Sequence, residues 1–371
     1  VIKALPSKLL APLLLISQLI FAPLASSNEI ELIVQSQDIS QSLVESSRGA
    51  ALAVLRDGNL LLGGGTTGNL LYHYRNSELV LIGELSTQAE RIRDPRFGPT
   101  DIGILRESKK SVDILVSYPQ LNKSKNCVRL LVFRYRINLE ANSLSKEERW
   151  FQGKPCVPLG SVQHAAGRIE IIDSKSAYLT TGDLGFRQIG NVSARGWLGG
   201  VFKITSKKIT QISQGHRNPQ GILTIGKDLY ISEHGPRGGD ELNLIEKSKD
   251  YGWPFVTYGQ PYSSGDYVIP DKSKTHIGYQ EPIYYWVPSV APTELIYLPK
   301  NKFWADLGGQ IVMGTLAGQS LIFIELLSPQ SVGQVKSYPV GERIRDLDLL
   351  PSGQIVATTD GGKLLFISPT G

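Results

Sequence analysis

The feature that most limits how this chain can fold is a recurrence. Six times, a short apolar strand, a turn or excursion of small residues and a second apolar strand follow one another. The pairs are Leu60–Leu62 with Leu70–Tyr74, Val112–Tyr118 with Val128–Tyr135, and Ala177–Thr180 with Val201–Ile204. Leu229–Ile231 with Leu242–Ile245, Gln310–Met313 with Leu321–Leu326, and Ile355–Thr358 with Leu364–Ile367 complete the set. Helical periodicity is almost absent. A hairpin cannot bury both of its faces alone, whereas six packed radially bury one another. The pattern therefore predicts an all-β fold, a single six-bladed β-propeller over 28–371, with a β-sandwich carrying long loops as the alternative. The repeat averages roughly 57 residues, slightly long for a four-stranded blade. Glu140–Lys154 and Pro254–Glu281 read as the insertions that take up the excess.

One glycine pattern misleads. Gly63 to Gly68 satisfies G-x-G-x-x-G after a strand, but a dinucleotide fold needs a helix next, and Asn69–Arg75 reads as strand. It is expected to be a hairpin turn.

Residues 1–27 carry the marks of an export signal. Lys3 and Lys8 form the basic start, Leu9–Leu24 the apolar run, and Ala25-Ser26-Ser27 the small residues before a cut at Asn28. Ser17 and Gln18 break the run, so no stable membrane insertion is expected, and the protein should be periplasmic or secreted. Cys127 and Cys156 are the two cysteines, and in an exported chain they are expected to form one disulfide. The 39 Lys and Arg against 34 Asp and Glu are dispersed, with no basic block, which argues against a nucleic-acid partner.

Gly215–Tyr262 is the densest run of Gly, Pro, charge and aromatics. Polar residues held between short strands are where binding sites usually sit. Arg217 and Asn218 can offer a fork of donors and an amide to a planar, anionic, carbonyl-rich ligand, or can pair within the loop. Gly235, Pro236, Asp240, Glu241 and Tyr251 could supply backbone and side-chain oxygens to a hard cation such as calcium, or the acidic pair could simply solvate a turn. His164, followed by small residues, suits a general base as well as a packed imidazole. His216 and His234, beside Arg217 and Glu233, fit a hydrogen-bonded scaffold. Arg343 and Arg345 share one face of an alternating strand, which either lines the channel or lies exposed with an ion pair to Asp346.

Taken together, Gly215–Gly221 (GHRNPQG), Glu233–Ile245 (EHGPRGGDELNLI), Tyr251–Pro254 (YGWP), Trp286–Pro292 (WVPSVAP), Gly314–Leu321 (GTLAGQSL) and Gly341–Asp346 (GERIRD) resemble, in order, the soluble pyrroloquinoline-quinone (PQQ) dependent aldose sugar dehydrogenases of the glucose/sorbosone dehydrogenase class. His164–Arg168 with Thr180–Gly185 resembles that family's histidine motif, and the likeness runs from about Arg48 to Gly361. The resemblance implies a six-bladed propeller that oxidises the anomeric carbon of a sugar, with hydride passing to PQQ and electrons then to an unidentified acceptor. It implies His164 as the base, Asp183 as the carboxylate orienting it, and Arg217 and Asn218 as donors to the quinone. Gly235 and Pro236 match carbonyls that hold a Ca2+ at the cofactor, Glu241 and Tyr251 match ligands of a second Ca2+, and Arg343 and Arg345 match partners of the cofactor carboxylates. Phe97–Gly103 departs from the GLLG segment usual in the family, and Gln163 stands where one branch has an acidic residue. A propeller of the same descent that binds a carbohydrate or protein partner without turnover is the alternative reading. A calcium-dependent lactone hydrolase is a third, by analogy of fold alone.

Overall fold

The structure is a computed structural model, which describes residues 31–40, 48–64, 68–87, 89–92, 97–159, 163–262 and 276–370. The leader reading falls outside these residues. The first strand, β1 (Leu32–Asp38), is followed by six groups. Blade one is β2 (Ala51–Val54), β3 (Leu60–Gly64), β4 (Leu70–Arg75) and β5 (Glu78–Glu84). Blade two is β6 (Asp101–Glu107), β7 (Ser111–Asn122), β8 (Cys127–Asn138), β9 (Ser143–Gln152) and the short β10 (Val157–Pro158). Blade three holds β11 (Ala166–Asp173), β12 (Ser176–Thr181), β13 (Gly200–Ile204) and β14 (Ile209–Gln214). Blade four holds β15 (Pro219–Ile225), β16 (Asp228–Glu233), β17 (Asp240–Leu244) and β18 (Tyr284–Trp286). Blade five is β19 (Pro292–Tyr297), β20 (Ile311–Thr315), β21 (Ser320–Ser328) and β22 (Ser331–Pro339). Blade six is β23 (Ile344–Leu349), β24 (Ile355–Thr359) and β25 (Lys363–Pro369), completed by β1, which pairs antiparallel with β25.

This is the expected six-bladed propeller. Each of the six hairpins read from the sequence is the central strand pair of one blade, and the apolar residues of those strands are largely buried between neighbouring blades. The cores lie between blades. Leu61, Leu71 and Ile82 of blade one meet Ile114, Val116 and Tyr135 of blade two, and Leu242 and Trp286 of blade four meet Leu295 and Met313 of blade five. One expectation is corrected. Glu140–Lys154 is no insertion: most of it is β9, which pairs with β8 as an ordinary outer strand. Its polar, exposed face hides the strand signal. The described part of Pro254–Glu281 does interrupt blade four, between β17 and β18. Gly63 and Gly64 end β3, residues 65–67 lie outside the described residues, and the next described element is the antiparallel partner β4 rather than the helix a dinucleotide fold requires.

The disulfide is present, joining Cys127 at the start of β8 to Cys156 just before β10. Among the described residues, no helix is long and apolar enough to cross a membrane.

The first strand of each blade lines the centre, and these six inner strands neighbour one another around the ring. Their inward edges have no ladder partner, and exposed N–H groups there must be satisfied another way. Carboxylates do it across the blade gaps. Asp101 accepts from Ile169 N at 2.6 Å, Glu170 from Thr224 N at 2.8 Å, Glu294 from Ile222 N at 2.9 Å and Asp346 from Leu52 N at 2.9 Å. Asp348, accepting from Val54 N at 3.2 Å, belongs to the same set. Arg168 of β11, fully buried, sits among them at 3.0 Å from Asp346 and 3.2 Å from Glu294. Burial raises the Asp101 carboxyl to about 7 and pushes Glu294 well above the usual carboxylate range, although Arg168 pulls both back.

Candidate functional site

Residues just ahead of the inner strands, or in the loops beside them, form one cluster. His164 precedes β11 by two residues, and β11 opens irregularly, with a register shift between Ala166 and Ile169. His164 itself has φ +52°, a left-handed backbone uncommon outside glycine. The loop after β12 then passes directly over it. A Cβ on Gly182 would lie 1.8 Å from the His164 carbonyl oxygen, so only glycine permits this approach. The close passage brings Asp183 to the imidazole. His164 Nδ1 and Asp183 Oδ1 are 2.9 Å apart.

Asp183 is fully buried and accepts two more hydrogen bonds, from Gly185 N at 2.8 Å and from Trp253 Nε1 at 2.9 Å. An ionised carboxylate only accepts, so Nδ1 carries the imidazole proton and Nε2 is the basic nitrogen. Arg217 Nη2 lies 3.2 Å from that Nε2. Arg217 Nη1 donates to Gly235 O at 2.6 Å, and the guanidinium carbon stands 5.3 Å from the Trp253 ring centroid. Trp253 therefore contacts both the carboxylate behind the histidine and the cation in front of it. No role for Trp253 is readable from YGWP alone.

The loop carrying Arg217 is held from behind. Glu233 accepts from Arg217 N at 2.8 Å, from His216 Nδ1 at 2.8 Å and from Asn243 Nδ2 at 2.9 Å. His216 also meets Ser213 Oγ at 2.8 Å and stacks on Tyr251. His234 donates from Nε2 to Pro292 O at 2.7 Å, and burial lowers its pKa to about 4. Both histidines are scaffold. Asn218 is buried, its Oδ1 accepting from Gln220 Nε2 at 2.9 Å and its carbonyl from His234 N at 3.1 Å.

Arg343 and Arg345 meet one carboxylate, that of Asp360. Arg345 grips it with Nε and Nη2 at 2.9 and 3.0 Å, and Arg343 Nε reaches it at 3.1 Å. The suggested ion pair with Asp346 is corrected: Asp346 is committed to Arg168 and to Leu52 N. Burial works against the Asp360 charge, but Arg345 and Arg343 more than offset it and hold the carboxyl below the usual range. Arg343 remains about half exposed while Arg345 is buried.

The residues expected to hold cations divide. Gly235, Glu241 and Tyr251 line one small cavity with Glu233, Arg217 and Trp253, of about 10 Å3, room for a single water or ion. Pro236 does not line this cavity, and its carbonyl accepts from Tyr262 Oη at 3.0 Å. The Tyr251 hydroxyl is engaged with Leu244 O and Glu246 N, leaving its backbone oxygen as the atom it can offer. Two buried carboxylates, with burial raising that of Glu241, and the nearby Asn243 Oδ1, buried without a hydrogen-bond partner, make a donor set that suits a hard cation. The arginines suit a planar polyanion in the same way. Arg343 and Arg345 share Asp360 as their counter-charge, and Arg217, which meets His164 and Gly235 O, has its Nε buried without a hydrogen-bond partner.

A family model described as Glucose / Sorbosone dehydrogenase matches residues 46–366. The chain belongs to this family. Aldose sugar dehydrogenase YliI of Escherichia coli (strain K12) is 35% identical over 166 residues, covering 42% of this chain and 43% of the relative. The chain thus spans about two fifths of the length of the curated relatives it matches. Over the whole fold, the solved soluble aldose sugar dehydrogenase of Escherichia coli superposes with a TM-score of 0.77 at 23% identity, covering 91% of this chain and 99% of that one. The PQQ-bound form of an aldose sugar dehydrogenase from Streptomyces coelicolor gives 0.67 at 19% identity, covering 92% and 99%. Within the family frame, the divergent Phe97–Gly103 segment is a packing element: Phe97 is buried in one apolar cluster with Leu184, Ile189 and Trp253. Thr100 bonds Ser117, and Asp101 begins β6.

Proposed function

We propose that this protein oxidises aldose sugars at the anomeric carbon, with PQQ as the hydride acceptor and His164 as the base. The observation that carries the reading is the line Asp183–His164–Arg217, with contacts of 2.9 and 3.2 Å on the two ring nitrogens. The names of the relatives, an aldose sugar dehydrogenase and a PQQ-bound one, support the chemistry.

When bound, the quinone supplies a two-electron acceptor for the hydride leaving C1. Arg343 and Arg345 would hold its carboxylates, and Asn218 and Arg217 would donate to its oxygens. The chain's own part is proton handling and charge. His164 Nε2 exchanges its contact with Arg217 for the anomeric hydroxyl and takes that proton, so that C1 becomes the carbonyl carbon of a lactone. The Nδ1–H stays on Asp183, which fixes the tautomer and stabilises the imidazolium that forms. Arg217, retained by Gly235 O and the Trp253 ring, keeps a positive charge beside the reacting atoms. Gly235 and Pro236 would offer carbonyls to a calcium ion at the cofactor, and Glu241 with the Tyr251 backbone to a second.

We also propose that the chain is exported after removal of 1–27, leaving 28–371 as the dehydrogenase domain. The Cys127–Cys156 disulfide supports an oxidising compartment.

The experiment is reconstitution. Metal-stripped protein is titrated with PQQ and Ca2+, and aldose-dependent dye reduction is followed, with His164→Gln as control. Activity requiring both additions and lost in the variant is expected. Quinone binding without turnover on any aldose would favour a carbohydrate-binding propeller instead.

A further inference from the structure

The residues that approach the mouth of the channel come from equivalent positions, just ahead of the inner strands: His164 for β11, Arg217 and Asn218 for β15, Arg343 for β23. Blade one has a residue at this position too. Arg48 precedes β2, and its neighbour Gly49 is fixed against blade six. Gly49 N donates to Asp360 Oδ1 at 2.9 Å. A Cβ there would lie 2.5 Å from Thr359 O and 2.9 Å from Arg345 Cβ, so the backbone carrying Arg48 is pressed onto the strand end that holds Arg345 and Asp360.

Three guanidinium groups therefore collect near one carboxylate. Asp346, whose charge also acts on Arg48, already serves Arg168 and Leu52 N. Arg48 Nε is buried and has no hydrogen-bond partner. Burial first, then the like charges of Arg345 and Arg168, bring its pKa down to about 9, with Asp360 and Asp346 offsetting them only in part. Arg48 as a whole is only partly buried, with its Nε inside, and a cation that its surroundings disfavour is often found where a ligand supplies the missing charge.

We propose that Arg48 is a further cofactor-binding residue, a guanidinium that receives a carboxylate of the quinone beside Arg343 and Arg345. The assignment rests on the proposed function. It would give this chain a contact from blade one, the blade next to the divergent Phe97–Gly103 segment.

The test is an equilibrium titration of calcium-loaded protein with PQQ, read by quenching of tryptophan fluorescence. Wild type is compared with Arg48→Met and Arg48→Lys, and the melting temperature of each is taken without quinone. Arg48→Met is expected to raise Kd about 10- to 100-fold, as for loss of a charge-assisted hydrogen bond, and Arg48→Lys to raise it less. Neither variant should melt below wild type, because the disfavoured charge is removed or made more adaptable. Equal Kd values for wild type and Arg48→Met would overturn the assignment and leave the proposed function standing. An Arg48→Met protein that melts several degrees lower, or does not fold, would make Arg48 a structural partner of Asp360 and overturn it as well. Absence of quinone binding by wild type would remove the proposed function, and this inference with it.

Discussion

Trp253 donates its indole N–H to Asp183 Oδ2 at 2.9 Å while the same ring lies under the Arg217 guanidinium. One side chain thereby fixes the carboxylate behind His164 and the cation ahead of it. Trp253→Phe keeps most of the ring and removes the donor. A hydrogen bond to a buried charged group contributes about 1.5–3 kcal/mol, so kcat for aldose oxidation should fall at least about tenfold. The Kd for PQQ should change far less, and steady-state kinetics beside a binding titration separate the two.

Gly182→Ala tests the approach that builds the pair. The added methyl would meet His164 O at 1.8 Å, backbone against side chain, and something must move. Displacing His164 from Asp183 by even an ångström should cost on the order of 100-fold in kcat. Retained turnover in the folded variant would show that the loop can yield without disturbing the base.

Asp348 makes a prediction about pH. Burial raises its folded carboxyl to about 6, above the ordinary 3.8, so the native state binds the proton more tightly than the unfolded chain. Its contribution to stability is fully present below about pH 3.8 and is lost as pH rises through 6. Asp348→Asn removes that titration. The variant should match wild type near pH 4 and gain on it up to about pH 6, after which the gap stays constant. Melting temperatures of the two proteins across this range check the sign, and a gap that closes with rising pH would contradict it.

The disulfide closes a loop of sequence separation 29 between β8 and the segment before β10. Chain-entropy arguments give such a closure about 3.6 kcal/mol, which for a domain of this size is about 5 °C in melting temperature. Replacing both cysteines by serine should produce a drop of that order, measured by calorimetry, with the cofactor site unaffected.

The sequence displayed the blades through their middles. Strands such as β7 and β20 are mostly buried and rich in apolar residues because neighbouring blades cover both faces. The inner strands were harder to see, since β23 reads Ile-Arg-Asp-Leu-Asp-Leu and its acids serve N–H groups of the next blade. The outer strand β9 reads as an insertion in the sequence because its exposed face is Ser, Lys, Glu and Arg. For the site, motifs pointed to His164, Asp183 and Arg217, and the structure brings the three together. Trp253 as the partner of Asp183, and Asp360 as the partner of Arg343 and Arg345, could not be read in advance. Those contacts join separate loops and strands, and nothing local in the sequence encodes which loops will meet.

The pairing of β1 with β25 sets Leu32 opposite Pro369 and makes the last blade a joint venture of distant parts of the chain. Blade six has only three strands of its own until β1 arrives. Such a ring cannot close progressively from one end. Its final blade must wait for residues beyond 363, however early β1 is available. If the chain crosses a membrane unfolded, ring closure belongs to the far side, after passage is complete. Until then β25 is an open edge, and whatever shields it during transit decides how much protein reaches the closed state.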